Sequence, residues 1–174
     1  KKKLDDQVEF KIFKSVTALL DAIENKVPDV LGLTNYTWNA ALSRFAGEWV
    51  KKRFPDLPLV MGGPNIRLEE EGIEMHLRAN PYVDKYCMFA GEISFYKILQ
   101  FLLNEPSEKR TAKNLRSNII DGCYSIHEDT LSGNTKYETF NNLDEIPSPF
   151  LMGLMDQFID KGFLPIIETN RGCP

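Results

Sequence analysis

With 174 residues, 43% of them hydrophobic and 26% charged, the chain suits one domain of ordinary size, or one domain and the start of another, and its composition excludes general disorder. The net charge of -4 and the lack of a basic stripe argue against nucleic-acid binding through a positive face, since Lys1-Lys2-Lys3 is too short a run to count. No stretch approaches the ~20 apolar residues that span a bilayer, so no membrane association is expected; the amino terminus has no signal-peptide order, which points to the cytoplasm. The 3 cysteines, Cys87, Cys123 and Cys173, are widely spaced and odd in number, which gives no disulfide framework.

Val8 to Phe13 alternates apolar and charged residues and reads as a strand with one covered face. Ser15 is placed to cap a helix running to Asn25, with Val16, Leu19, Leu20 and Ile23 on one stripe. Asp29 to Leu33 reads as a strand covered on both faces. A helix from Asn39 to Phe54 is expected to bury Leu42, Phe45, Ala46 and Trp49 or Val50 before Pro55 and Pro58 end it. Leu59 to Met61 makes the next strand, broken at Gly62-Gly63-Pro64; a helix from Leu68 to Arg78 presents Ile73 and Leu77. Val83 to Phe89 is a further strand, and Gly91-Glu92 opens a helix to Leu103. This alternation implies an α/β fold with a doubly wound, parallel sheet and right-handed crossovers over residues 1–104.

After Asn104 the texture changes, and residues 105–150 read as a linker carrying a hairpin. The polar run Glu105 to Asn118 precedes two strands, Gly122 to Ile126 and Lys136 to Phe140, which flank a turn at Ser132-Gly133-Asn134. The prolines forbid regular structure in Leu143 to Phe150; residues 151–174 read as a further helix to Lys161, Gly162, and an apolar strand from Phe163 to Thr169.

In an open parallel sheet, ligands bind outside the carboxyl ends of the strands, where the strand order reverses. That rule nominates three loops: Thr34 to Asn39, Gly62 to Arg67, and Ala90 to Ser94. Gly62 and Gly63 admit close backbone approach, and Pro64 fixes the exit. Thr34 and Asn35 offer polar groups, Tyr36 and Trp38 offer flat walls, and Gly91-Glu92 starts a helix. Each also has a plain structural reading: a tight turn for Gly-Gly-Pro, a core position for Trp38, and macrodipole compensation for Glu92. His76 reads as a surface helix residue, His127 as a hairpin residue and Cys87 as a small buried hydrophobe.

Taken in order, Pro28-Asp29-Val30-Leu31-Gly32-Leu33-Thr34, Tyr36, Trp38-Asn39, Phe54-Pro55, Val60-Met61-Gly62-Gly63-Pro64, Val83-Asp84 and Gly91-Glu92 resemble the cobalamin-binding domains that precede radical S-adenosylmethionine barrels. Leu143 to Pro149 looks like the joint between those domains, and Glu168-Thr169-Asn170-Arg171-Gly172-Cys173-Pro174 like the end of the first barrel strand and the start of the cluster loop. The resemblance implies a flavodoxin-like domain seating cobalamin over the carboxyl edge of its sheet, through Thr34, Asn35, Tyr36, Trp38, Gly62, Gly63, Pro64, Gly91 and Glu92. It also implies Cys173 as the first ligand of a CxxxCxxC loop holding a 4Fe-4S cluster that binds S-adenosylmethionine, with an electron donor and a substrate as the parent protein's other partners. The family's first strand, central in the sheet, is not found before Val8, and no Asp-x-His-x-x-Gly supplies a lower cobalt ligand. The expected function is the cofactor-binding portion of a cobalamin-dependent radical enzyme, methyl transfer being the expected chemistry and this stretch itself being inert. The alternative is a flavodoxin-like module that has lost cobalamin and supports the barrel or a substrate.

Overall fold

The structure, a computed structural model, describes residue 4, residues 7–136, residue 138 and residues 146–165. The chain divides into two compact units, Phe13–Thr139 and a second made of Lys1–Ile12 with Phe140–Pro174.

The larger unit opens with α1 (Val16–Asn25), where the Ser15 Oγ accepts from the Ala18 N–H at 3.4 Å, the expected cap, and Ile23 is buried. β1 (Leu31–Thr34), α2 (Ala40–Arg53), β2 (Leu59–Gly62), α3 (Glu70–Ala79), β3 (Lys85–Cys87) and α4 (Gly91–Asn104) then alternate as read. The expected linker is ordered at its start: a 3-10 turn at Ser107–Lys109 leads to α5 (Ala112–Ser117), whose Leu115 is fully buried. Polarity misled the reading there, because a helix this short hides its apolar contact in two residues, Ala112 and Leu115.

The sheet runs β1-β2-β3-β4-β5, with β4 (Cys123–His127) and β5 (Thr130–Gly133) forming a hairpin that extends it. β1–β2 and β2–β3 pair in parallel, and β3–β4 and β4–β5 antiparallel. The described strands thus follow chain order and contain no reversal. Helices nonetheless cover both faces. Two crossovers advancing in one direction put α2 and α3 on one side together with α1, where Ile23, Val50, Ile73 and Leu77 meet Leu59, Met61, Tyr86 and Tyr124. The strand period of two sends Val60, Cys87 and Cys123 to the other face, against Ile98 and Leu102 of α4 and Leu115 of α5.

Two readings are corrected here. In α2 the buried stripe is Ser43, Ala46, Gly47 and Val50, while Leu42 and Phe45 are each 55% exposed. The helix is rotated because Gly47 lets it sit on the Tyr82 ring, so close that a Cβ there would stand 2.2 Å from Tyr82 Cδ2. The hairpin turns at Glu128-Asp129, both at positive φ (47° and 61°), a type I′ turn joining His127 to its partner Thr130. Gly133 is therefore a strand residue; its φ of 149° brings it against the Cys123 carbonyl, where a Cβ would meet the oxygen at 2.1 Å. The expected second strand, Lys136 to Phe140, lies largely outside the described residues.

At the amino end of the strands, Asp84 is fully buried. It accepts from the Leu59 N–H (2.7 Å) and Arg116 Nε (2.8 Å) and pairs with Lys51, tying α2, β2 and α5 together. Lys85, 1% exposed, donates to Asn118 O (2.7 Å) and Ser125 Oγ (3.0 Å), and burial lowers its pKa to about 8.

The expected strand Val8 to Phe13 is not formed: it pairs with none of the described strands, and the Val8 N–H donates instead to Leu4 O (3.2 Å). Residues 149–155 are turns, α6 (Asp156–Ile159) is shorter than the helix read, and Gly162 (φ 82°) follows its end. Residues 163–165 are not in a strand; the rest of that expected strand, and Cys173, lie outside the described residues.

Candidate functional site

The carboxyl ends of β1, β2 and β3 are Thr34, Gly62 and Cys87, and the loops that follow them are stitched together by a network the sequence reading only partly named. Asn35, 3% exposed, donates its N–H to Gly62 O (2.7 Å) and accepts at its own carbonyl from Asn65 N (3.2 Å). Its side-chain Nδ2 donates to Asn65 O (2.9 Å) and to Tyr86 Oη (3.1 Å), while Asn65 Nδ2 donates to Asn35 Oδ1 (3.2 Å). Tyr86 Oη in turn donates to Gly63 O (2.8 Å). Burial pushes the Tyr86 pKa up to about 12, so the phenol keeps the proton that this bond needs. Asn35 is therefore a splint between the first two loops, with its amide engaged inward.

Thr34 is exposed, but its polar atoms serve the start of α2. Its Oγ1 accepts from Asn39 Nδ2 (2.7 Å) and its carbonyl from Ser43 Oγ (2.7 Å), while Asn39 Oδ1 accepts from the Tyr36 N–H (2.8 Å). This hooked loop presents Tyr36 and Trp38 as a stacked pair, with ring centroids 4.6 Å apart and planes 19° apart. Trp38 is 78% exposed, which overturns the core reading of that residue.

The glycines are low ground between these walls. Gly63 adopts φ 134°, and a Cβ there would stand 2.4 Å from Asn35 O. Gly62 and Gly91 both border Cys87: a Cβ on either would lie 3.5 Å and 3.3 Å, respectively, from the Cys87 Cβ. Pro64 is exposed, and Glu92 is exposed in the first turn of α4, whose preceding Ala90 gives no side-chain cap. Phe89, also at positive φ (52°) and 43% exposed, shapes the turn into α4. Thr34, Asn35, Gly62, Gly63 and Gly91 thus come to one edge, with Tyr36 and Trp38 beside them. Since the described strands show no reversal of order, the carboxyl edge alone nominates this site.

Sequence reasoning missed Tyr86, Asn65, Phe89 and His76. Asn65, placed just after Gly-Gly-Pro, was a legible loop residue; Tyr86 looked like ordinary strand core. His76 is a correction: its ring lies edge-on to Tyr86 at 5.4 Å, its Nε2 is buried without a hydrogen-bond partner, and burial lowers its pKa. A cleft of about 340 Å³ opens elsewhere, at the amino end of the strands between Pro28, Pro55, Pro58 and Arg110, but Arg110 is engaged there by Asp29 and Glu105 O. Among the described residues, no group of three or more His, Cys, Asp or Glu is placed to hold a metal, and no helix is long and apolar enough to cross a membrane.

These features define an α/β domain whose carboxyl sheet edge carries Gly62, Gly63 and Gly91, with a stacked Tyr36–Trp38 pair on the adjoining loop. No family model matches the chain. It is 31% identical over 155 residues, 84% of its length, to the cobalamin-dependent radical SAM methyltransferase TokK of Streptomyces tokunonensis. It is 29% identical over 174 residues, 93% of its length, to the 2-(S-pantetheinyl)-carbapenam-3-carboxylate methyltransferase of Streptantibioticus cattleyicolor. The chain spans only 21% and 24% of these two relatives. Over the stretch it shares with them, the chain belongs to the cobalamin-binding radical S-adenosylmethionine enzyme family.

Proposed function

We propose that this chain is the cobalamin-binding portion of a cytoplasmic radical S-adenosylmethionine enzyme, with methyl transfer as the parent protein's reaction. The observation that carries the reading is the open glycine edge. A corrin is broad and flat, and an edge of Gly62, Gly63 and Gly91 flanked by an exposed aromatic stack offers it backbone contact without side-chain obstruction. Cobalamin, when bound, supplies a transferable methyl group. The chain's own residues then bind and orient it: Gly62, Gly63 and Pro64 form the floor, and Tyr36 and Trp38 exclude water along one side. Thr34 and Asn35 hold the first loop in register, and Gly91 and Glu92 present the start of α4, with Glu92 as hydrogen-bond acceptor.

Cys173 is assigned as the first thiolate of the 4Fe-4S loop in the parent, where the cluster binds S-adenosylmethionine and takes its electron from a donor protein. Residues 151–174 are then the start of the barrel, residues 105–150 its connection, and residues 1–104 the cofactor domain. The test is to incubate the chain with hydroxocobalamin, remove unbound cofactor by gel filtration and read the corrin absorbance of the protein peak. Retention near one corrin per chain is the expected result. A protein that keeps its fold by circular dichroism yet elutes without corrin overturns the reading.

A further inference from the structure

We propose that Cys87 and Cys123 form an oxidative modification site, a thiol pair that closes into a disulfide between β3 and β4. The two residues are directly opposed in the antiparallel ladder. Met88 N–H donates to Gly122 O (2.9 Å), so the neighbouring Met88–Gly122 pair is the hydrogen-bonded one and Cys87–Cys123 is the non-bonded pair, in which side chains approach most closely. Their sulfurs stand 3.8 Å apart, with the Cys123 thiol donating to Cys87 Sγ, and both side chains are buried. Non-hydrogen-bonded antiparallel pairs have Cα atoms about 4.5 Å apart, within the range a disulfide spans, so rotation about the side-chain bonds can bring the two sulfurs within bonding distance.

The chemistry needs a small-molecule disulfide as oxidant. One cysteine thiolate attacks glutathione disulfide and expels one glutathione thiolate. The second cysteine thiolate then displaces the other glutathione. The two protons of the cysteine thiols end on the two released glutathiones, and two electrons pass to the oxidant. The hydrogen bond with Cys123, together with burial, holds the Cys87 thiol well above its ordinary pKa, so exchange proceeds through opening of the β3–β4 ladder or during folding. The bond would lie beneath the start of α4, next to Gly91. The inference stands independently of the cofactor reading.

The chain supplies its own control, because Cys173 is a third thiol. The 174-residue chain is refolded from urea in a glutathione redox buffer, quenched with acid, alkylated and mapped by peptide mass spectrometry; a parallel sample stays in urea. The expected result is a Cys87–Cys123 peptide at least about tenfold enriched over the urea sample, with Cys173 still alkylatable, since holding two groups in reach raises their effective concentration. The Cys173→Ser chain is expected to give the same linkage. Equal fractions with and without urea, dominant linkage to Cys173, or two free thiols at Cys87 and Cys123 would overturn the proposal.

Discussion

At the scale of single residues, the ligand edge depends on positions whose roles are local and separable. Gly63 is held at φ 134°, where a Cβ would stand 2.4 Å from Asn35 O. Gly63→Ala therefore meets both an unfavourable backbone region and a clash with main chain, which no side-chain rotation relieves. The expected cost is about 2 kcal/mol or more in urea denaturation, accompanied by loss of corrin retention. Tyr86→Phe is a finer probe, because it keeps the ring and removes the hydroxyl that joins Gly63 O to Asn35. About 1–2 kcal/mol of stability is expected to go, as the buried carbonyl and amide lose a partner. Corrin retention should weaken at temperatures where the variant is still fully folded, and unchanged retention would show that the Tyr86 hydroxyl does not position the edge. Gly62-Gly63-Pro64 was legible as a ligand loop from residue types alone. Tyr86 was not, because a tyrosine in an apolar run looks the same whether its hydroxyl is idle or joins two loops.

At the scale of elements, periodicity located most helices and strands but not their rotation or pairing. The apolar residues of α2 fit more than one stripe, and the choice fell to Gly47, where Tyr82 needs room; Leu42 and Phe45 were left outward. The hairpin shows the same limit. Ser132-Gly133-Asn134 carries the stronger turn composition, yet the chain turns at Glu128-Asp129, because Gly133 is wanted opposite Tyr124. Two non-glycine residues at positive φ make that turn improvable. Replacing Glu128-Asp129 with Asn-Gly is expected to stabilise the chain by about 0.5–1 kcal/mol, read as a higher urea midpoint with an unchanged slope. A lower midpoint would mean that the Asp129 ion pair with Arg78 outweighs turn strain.

At the scale of the whole molecule, the two ends of the sheet are built differently. The amino end is closed by buried charge on Asp84 and Lys85, whereas the carboxyl end is open and floored by glycine. The buried Lys85 gives stability a pH dependence. Its folded pKa, about 8, lies below the ordinary lysine value of 10.5, so between these values the unfolded chain holds a proton that the folded chain has released. Stability contributed by this group therefore rises as pH increases from about 8 toward 10.5 and is absent below that window. Tyr86, held near 12 when folded, opposes it at the upper end. The comparison to make is between wild type and Lys85→Met: their difference in unfolding free energy should shift in favour of wild type across this window, and a pH-independent difference would refute the assignment.

Local pattern by itself determined the α/β alternation, the cap at Ser15 and the glycine loop at the end of β2, because each depends on residues adjacent in the chain. The order of residue motifs likewise carried the family resemblance. Only tertiary structure decided the sheet order, the outward placement of Trp38, and the Asn35–Tyr86–Gly63 bonds that fix the edge. Those depend on pairings between residues 23 to 51 positions apart, which no local pattern encodes.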